Sequence, residues 1–224
     1  MNNHIIITVI MICIFLLLIC SWIVLYFLSK INKNKALKSG FEFENQVNLE
    51  LKRITKNKKI TWFGGDIYKY DNKYFEIDGF LIFQNLVVVV EVKSYHGILS
   101  GFGNSQSVML SSQTKNGIKN VEFKNPVIQN ERHMNHIAKI IGSTVPIASL
   151  IVFPDDLKNN LTNVPNHVVL ANMQDLESVI KNFYLYSKQN KNINCKPKII
   201  KNAMNNFRVT SKKEKNEFQK IVER

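Results

Sequence analysis

The sequence predicts a mixed α/β domain built around an antiparallel hairpin and preceded by one membrane-spanning helix. Three observations predict it. Residues 5–28 contain no charged side chain. Two strand-like stretches, 74–83 and 86–93, flank Gln84-Asn85, and 86–90 is apolar throughout. Helical spacing of apolar residues recurs at 41–54, 126–141 and 175–187.

The apolar run comes first. Its 24 residues would form a helix about 36 Å long, enough for a hydrocarbon core of about 30 Å. Trp22 and Tyr26 stand near its end, where amphipathic rings favour the interface. No Lys or Arg precedes it and no small-residue cleavage motif follows, so a secretory signal fits poorly. Lys30, Lys33, Lys35 and Lys38 come after it, and a cationic flank stays on the cytoplasmic side. The expectation is a single-pass protein of the cell membrane, contacting lipid through 5–28, with its N-terminus outside and its C-terminal domain cytoplasmic. Cys13 and Cys20 fall inside the run and Cys195 stands apart, a pattern that offers no disulfide framework.

The net charge of +13 over 224 residues is unevenly placed. Residues 1–40 carry four basic and no acidic side chains, 41–187 carry 15 and 14, and 188–224 carry 11 and three. Hence four segments: a span at 5–28, a basic juxtamembrane linker at 29–39, a nearly neutral domain at 40–187 and a basic tail at 188–224. With 45% hydrophobic residues the chain is neither disordered throughout nor a disulfide-stapled mini-protein. The basic runs suit nucleic-acid phosphates, anionic lipid headgroups or simple solubility.

Within the domain, Phe43, Val47, Leu51 and Ile54 mark the first helix. Short strands are expected at 59–63 and 67–70 around Gly64-Gly65, then the hairpin, then weaker strands at 97–102 and 107–110. Asn125-Pro126 opens a helix to about residue 141, because proline is tolerated in a first turn. Strands at 148–153 and 167–170 and a helix at 175–187 complete the domain. The tail has apolar positions for one amphipathic helix, on a membrane or on DNA, with partial disorder as the alternative.

The chemistry concentrates on the hairpin. A two-residue turn pairs Phe83 with Leu86, which sets Asp78 opposite Glu91 and Glu76 opposite Lys93. Alternation puts Asp78 with Glu76, and Glu91 with Lys93, on shared faces. Two carboxylates about 5 Å apart repel by roughly 3 kcal/mol at an effective dielectric near 20. A divalent cation between Asp78 and Glu91 reverses that sign, and Mg²⁺ suits one or two carboxylates plus water and phosphate oxygens. Lys93 can then orient or deprotonate a water, or face developing phosphate charge. A plain cross-strand ion network is the alternative, although one lysine under-neutralises three acids.

These blocks resemble the PD-(D/E)xK nuclease core and, more narrowly, residues 40–153 resemble the nuclease-related domain (NERD) family. Gly40-x-x-x-Glu44, Ile77-Asp78-Gly79, Glu91-Val92-Lys93-Ser94-Tyr95-x-Gly97 and Asn125-Pro126-x-x-Gln129-x-x-x-His133 carry the resemblance. It departs at Phe43, Glu76 and Gly79, where the family usually has Gly, Gln and His. The resemblance implies a restriction-endonuclease-like α/β/α sandwich with a central mixed sheet and metal-dependent cleavage of DNA. It makes Asp78 and Glu91 ligands of Mg²⁺ (or Mn²⁺) and Lys93 the catalytic lysine. Glu44 adds an acid from the first helix, and Gln129 approaches from the later one. The other reading is an inactive nucleic-acid-binding or scaffold module tethered to the membrane, and oligomeric state stays open. His133-x-x-His136 lacks the further ligands of a zinc site, and His96 reads equally as a loop residue.

Overall fold

The computed structural model describes residues 2–115, 117–142, 144–189 and 196–222; the side chains of 2–10, 12–14, 28, 32–37 and 222 are not described. The chain divides into two compact units, Met1–Glu42 and Phe43–Arg224.

Helix α1 runs Asn2–Thr55, so the expected linker at 29–39 is helical. Among the described residues no helix is long and apolar enough to cross a membrane. The described side chains of the expected span, Met11 and Phe15 to Phe27, are exposed throughout. Residues 5–10, 12–14 and 28 of that span, Cys13 among them, fall outside the described side chains. Cys20 is free and exposed, and Cys195 also lies outside the described residues.

In the larger unit, a five-stranded sheet has the order β1-β2-β3-β7-β9. These are β1 (Thr61–Tyr70), β2 (Lys73–Ile82), β3 (Val87–Val92), β7 (Ile147–Phe153) and β9 (Val168–Asn172). The first three pair antiparallel and the last three parallel, which makes the sheet mixed. A second sheet has the order β6-β5-β4-β8, from β4 (Ile98–Phe102), β5 (Ser107–Thr114), β6 (Gly117–Lys124) and β8 (Lys158–Thr162).

Helices cover both faces of the first sheet. On one face Val47, Leu51 and Ile54 of α1 and Ile180 and Phe183 of α3 (Leu176–Gln189) bury Leu81, Val88, Val90, Leu150 and Val152. On the other, Ile137 of α2 (Pro126–Ile141) and Ile200 and Met204 of α4 (Pro197–Asn206) bury Phe75, Phe80, Ile82, Val87 and Val89. Val87–Val90 are all fully buried, as expected for a central strand covered twice. The result is a mixed α/β fold with a central mixed sheet.

Helix α2 starts where the sequence placed it, and Asn125 explains why. Its Oδ1 accepts the Val127 N–H at 3.0 Å, capping the helix. Its Nδ2 donates to the carbonyls of Phe102, Gly103 and Ser105, tying that end to the turn between β4 and β5. One turn on, buried Asn130 donates to the Val89 carbonyl (3.1 Å) and Ser149 Oγ (2.7 Å), fixing α2 against β3 and β7.

The tail forms two helices rather than one, α4 and α5 (Lys212–Val222). The stretch between them lies along β1: Lys69 N–H donates to Phe207 O at 2.8 Å, and Val209 N–H to Ile67 O at 2.9 Å.

Candidate active site at the fork of β2 and β3

Pairing between β2 and β3 follows the expected register, from Ile82↔Val87 to Gly79↔Val90, with Phe83 N–H donating to Leu86 O across the turn. The ladder then stops, one step short of the two acids. Asp78 and Glu91 are therefore not a ladder pair, as alternation across an unbroken hairpin had implied. Instead Asp78 Oδ2 accepts the Val92 N–H at 2.7 Å. Its carboxylate takes the place of a main-chain carbonyl where the strands part.

The physical reason is a slip in side-chain alternation. Phe75 and Ile77 share one hydrophobic cluster with Phe80 and Ile82, so the pattern loses step at Asp78-Gly79. Strand β1 loses step at the same level, because Phe63 and Tyr68 both pack into that cluster. Glycines permit it. A Cβ on Gly65 would lie 2.6 Å from Ile77 O. Gly79 has φ +153°, and a Cβ there would lie 2.1 Å from the Trp62 ring. Trp62 is itself held by its Nε1–H, which donates to Asn48 Oδ1 of α1 at 2.8 Å.

Glu91 continues the buried run of β3 and is 1% exposed. It is in register with Ile151 and so faces α2. A lone carboxylate there would be costly. Lys93, two residues on and on the same face, places Nζ 2.5 Å from Glu91 Oε1. His133 of α2 places Nε2 3.5 Å from Oε2. Glu44, next to buried Phe43 on α1, lies on the solvent side but within electrostatic reach of Asp78, Glu76 and Lys93.

Four acids thus surround one ammonium. Burial, and then the Glu91 charge, push Asp78 up to about 7, although the Val92 N–H and Lys93 oppose this. Partial burial, Asp78 and Glu76 push Glu44 up to about 7, a shift that solvent screens in part. Burial raises Glu91 against the pull of Lys93, and burial with Asp66 raises Glu76. Burial alone would lower Lys93, but Glu91 and Asp78 hold it above its usual range. His133 is pushed down to about 4 by burial, Lys93, His136 and Arg132, so it is neutral at neutral pH.

Gln129 sits one turn before His133, and both line a cavity of about 430 Å³. The α2 side chain that meets Glu91 is His133, the last residue of the Asn-Pro-x-x-Gln-x-x-x-His block. His96 pairs with Asp156 at 2.8 Å on the surface. Among the described residues, no group of three or more His, Cys, Asp or Glu side chains is arranged to hold a metal ion. The donor chemistry nevertheless fits a hard divalent cation, which needs only one or two carboxylates. Burial is the first cause of each raised carboxyl pKa, and the like charge of neighbouring acids adds to it.

A pH dependence follows. Protonated Asp78 favours the folded state, so its contribution is present below about 4 and is lost as pH rises through about 7. Without divalent ions, stability should fall between about pH 4 and 7. Asp78→Asn, which still accepts from Val92, should flatten that fall and raise stability near pH 8 by on the order of 2 kcal/mol. Urea denaturation at about pH 4 and about pH 8 reads it.

Residues 39–154 match the family model described as nuclease-related domain. No curated protein and no solved structure matches the chain.

Proposed function

The chain belongs to the nuclease-related domain family, and from that membership we propose a metal-dependent nuclease of the PD-(D/E)xK type that hydrolyses phosphodiester bonds of DNA. The observation that supports it most is the buried Glu91–Lys93 pair at an opened strand fork, with Asp78, Glu76 and Glu44 within electrostatic reach of that lysine. The three-layer arrangement around a mixed sheet suits the restriction-endonuclease-like fold.

Asp78 and Glu91 are the residues that would hold Mg²⁺ (or Mn²⁺), which when bound polarises a phosphate oxygen and lowers the pKa of a water. The remaining roles belong to the chain. Lys93 stays an ammonium at neutral pH because of Glu91, so it stabilises negative charge building on the phosphate and is not the base. Glu44, with a pKa of about 7, takes the proton released as a water oxygen adds to phosphorus and the bond to the leaving oxygen breaks. His133 and Asn130 are positioning residues: one meets Glu91, and the other pins the helix that carries it. Gln129 offers its amide to the strand from the cavity wall.

The same reading keeps the anchor. The uncharged run 5–28 and the four lysines after it would hold the domain at the cytoplasmic face of the cell membrane.

The test is cleavage of supercoiled plasmid by the full chain, recovered from membranes washed at alkaline pH. Turnover with Mg²⁺ or Mn²⁺ that stops on chelation is expected. Tight DNA binding without turnover under any divalent ion would leave only the binding module, and loss of the chain to the alkaline wash would remove the anchor.

A further inference from the structure

The basic tail lies outside the family-matched residues, yet it is fastened beside the site. Helix α5 docks through its acids. Glu214 Oε1 is 3.1 Å from Lys69 Nζ, and Tyr74 OH donates to Glu217 Oε2 at 3.2 Å. Buried Phe218 meets the Tyr74 ring, with centroids 6.4 Å apart. Arg208 pairs with Asp66, and Lys215 lies 3.9 Å from the same carboxylate. Both described acids of the tail are therefore engaged by the domain, and Lys212, Lys213 and Lys220 are left exposed.

Tyr74 is also the hinge of a second observation. It lines the cavity of about 430 Å³ together with Lys124, Gln129, Arg132 and His133. His133 reaches Glu91. Cations thus lie on α5 and, beyond Tyr74, in the wall of a cavity that also holds His133, the side chain that reaches Glu91. The separation from Lys212 to Lys220 is about 12 Å of helix, enough for three or four phosphates at roughly 3.4 Å each along one strand.

We propose that α5 and this cavity form one track for a nucleic-acid backbone, so that the C-terminal segment grips the substrate that the fork receives. The substrate class rests on the nuclease reading. A membrane surface fits the tail less well: Ile200, Met204 and Phe218, which a surface helix would sink into lipid, are buried in the domain, and each helix keeps one exposed large apolar residue among those described, Ile199 or Ile221.

The test uses the full chain and a fluorescein-labelled oligonucleotide, read by anisotropy in chelator so that nothing is cut. Two variants are compared with wild type: Lys212→Ala/Lys213→Ala/Lys220→Ala and Lys124→Ala/Arg132→Ala. Each should weaken binding about tenfold and lower the salt slope by about 2. Unchanged affinity and slope in both overturns the track. So does unchanged oligonucleotide binding with lost adhesion of the triple variant to phosphatidylserine vesicles. Lysine-dependent binding in a chain that never cleaves would sink the nuclease reading and keep the track. Cleavage with lysine-independent binding would do the reverse.

Discussion

Lys93→Met should lower plasmid cleavage by on the order of 10²–10³-fold, while oligonucleotide affinity in chelator changes little. Methionine keeps most of the stem that fills this mostly buried position but removes the charge. Two effects would mix in a careless reading. The first is loss of the ammonium that faces the phosphate. The second is exposure of Glu91 as an uncompensated buried charge, since His133 is neutral. Breaking one side of a buried pair typically costs about 3–5 kcal/mol unless the survivor takes up a proton. Glu91, already raised by burial, would do so. The double variant Lys93→Met/Glu91→Gln isolates the second effect: thermal melting should show its stability largely restored. Its cleavage is no readout, because it also removes a proposed metal ligand; wild-type cleavage by Lys93→Met alone would mean that Lys93 serves the fold and not the chemistry.

Gly79→Ala should destabilise the domain by about 3 kcal/mol in urea unfolding and quench cleavage with it. The added Cβ would arrive 2.1 Å from the Trp62 ring and 2.6 Å from Phe63 O. Backbone cannot yield cheaply, so the indole must swing and drop its hydrogen bond to Asn48. The neighbouring Asp78 then loses its seat on Val92, which couples the stability loss to the site. Gly142→Ala is the control: φ is +95° there too, but nothing lies within 4 Å. Only backbone strain remains, and cleavage should persist. Equal losses at both glycines would refute a specific role for the Trp62 contact.

The hairpin was the most legible part of the chain. Gln84-Asn85 between two apolar stretches set the register correctly, and spacing by two put Lys93 with Glu91. Asn125-Pro126 marked a helix start because a cap and a first-turn proline act locally. What failed was long-range. Alternation presumes an unbroken pleat, and nothing local in Asp78-Gly79 announces that two strands slip together; Gly64-Gly65 was the available hint, read as a gap between strands. Strands β6 and β8 are mostly exposed and polar, so they carry no periodic signal and exist through their partners. The Asn-Pro-x-x-Gln motif points to Gln129, and the contact of His133 with Glu91, four residues later on the same face, needs the fold to be seen. In the tail, Ile200 and Met204 were visible as an apolar pair, but their burial surface on the other side of the sheet was not.

The segment from Phe207 to Val209, lying against β1, has one more consequence. An outermost strand with unpaired amides is a template for another copy of itself. Here the chain supplies its own short partner, and Arg208 adds a charge that a stacking neighbour would have to bury. Truncation of the chain before α4 would strip that guard from the rim of the sheet. The expected fate of the trimmed product is intermolecular strand addition and precipitation, a hazard set by main-chain hydrogen bonding and independent of any catalysis.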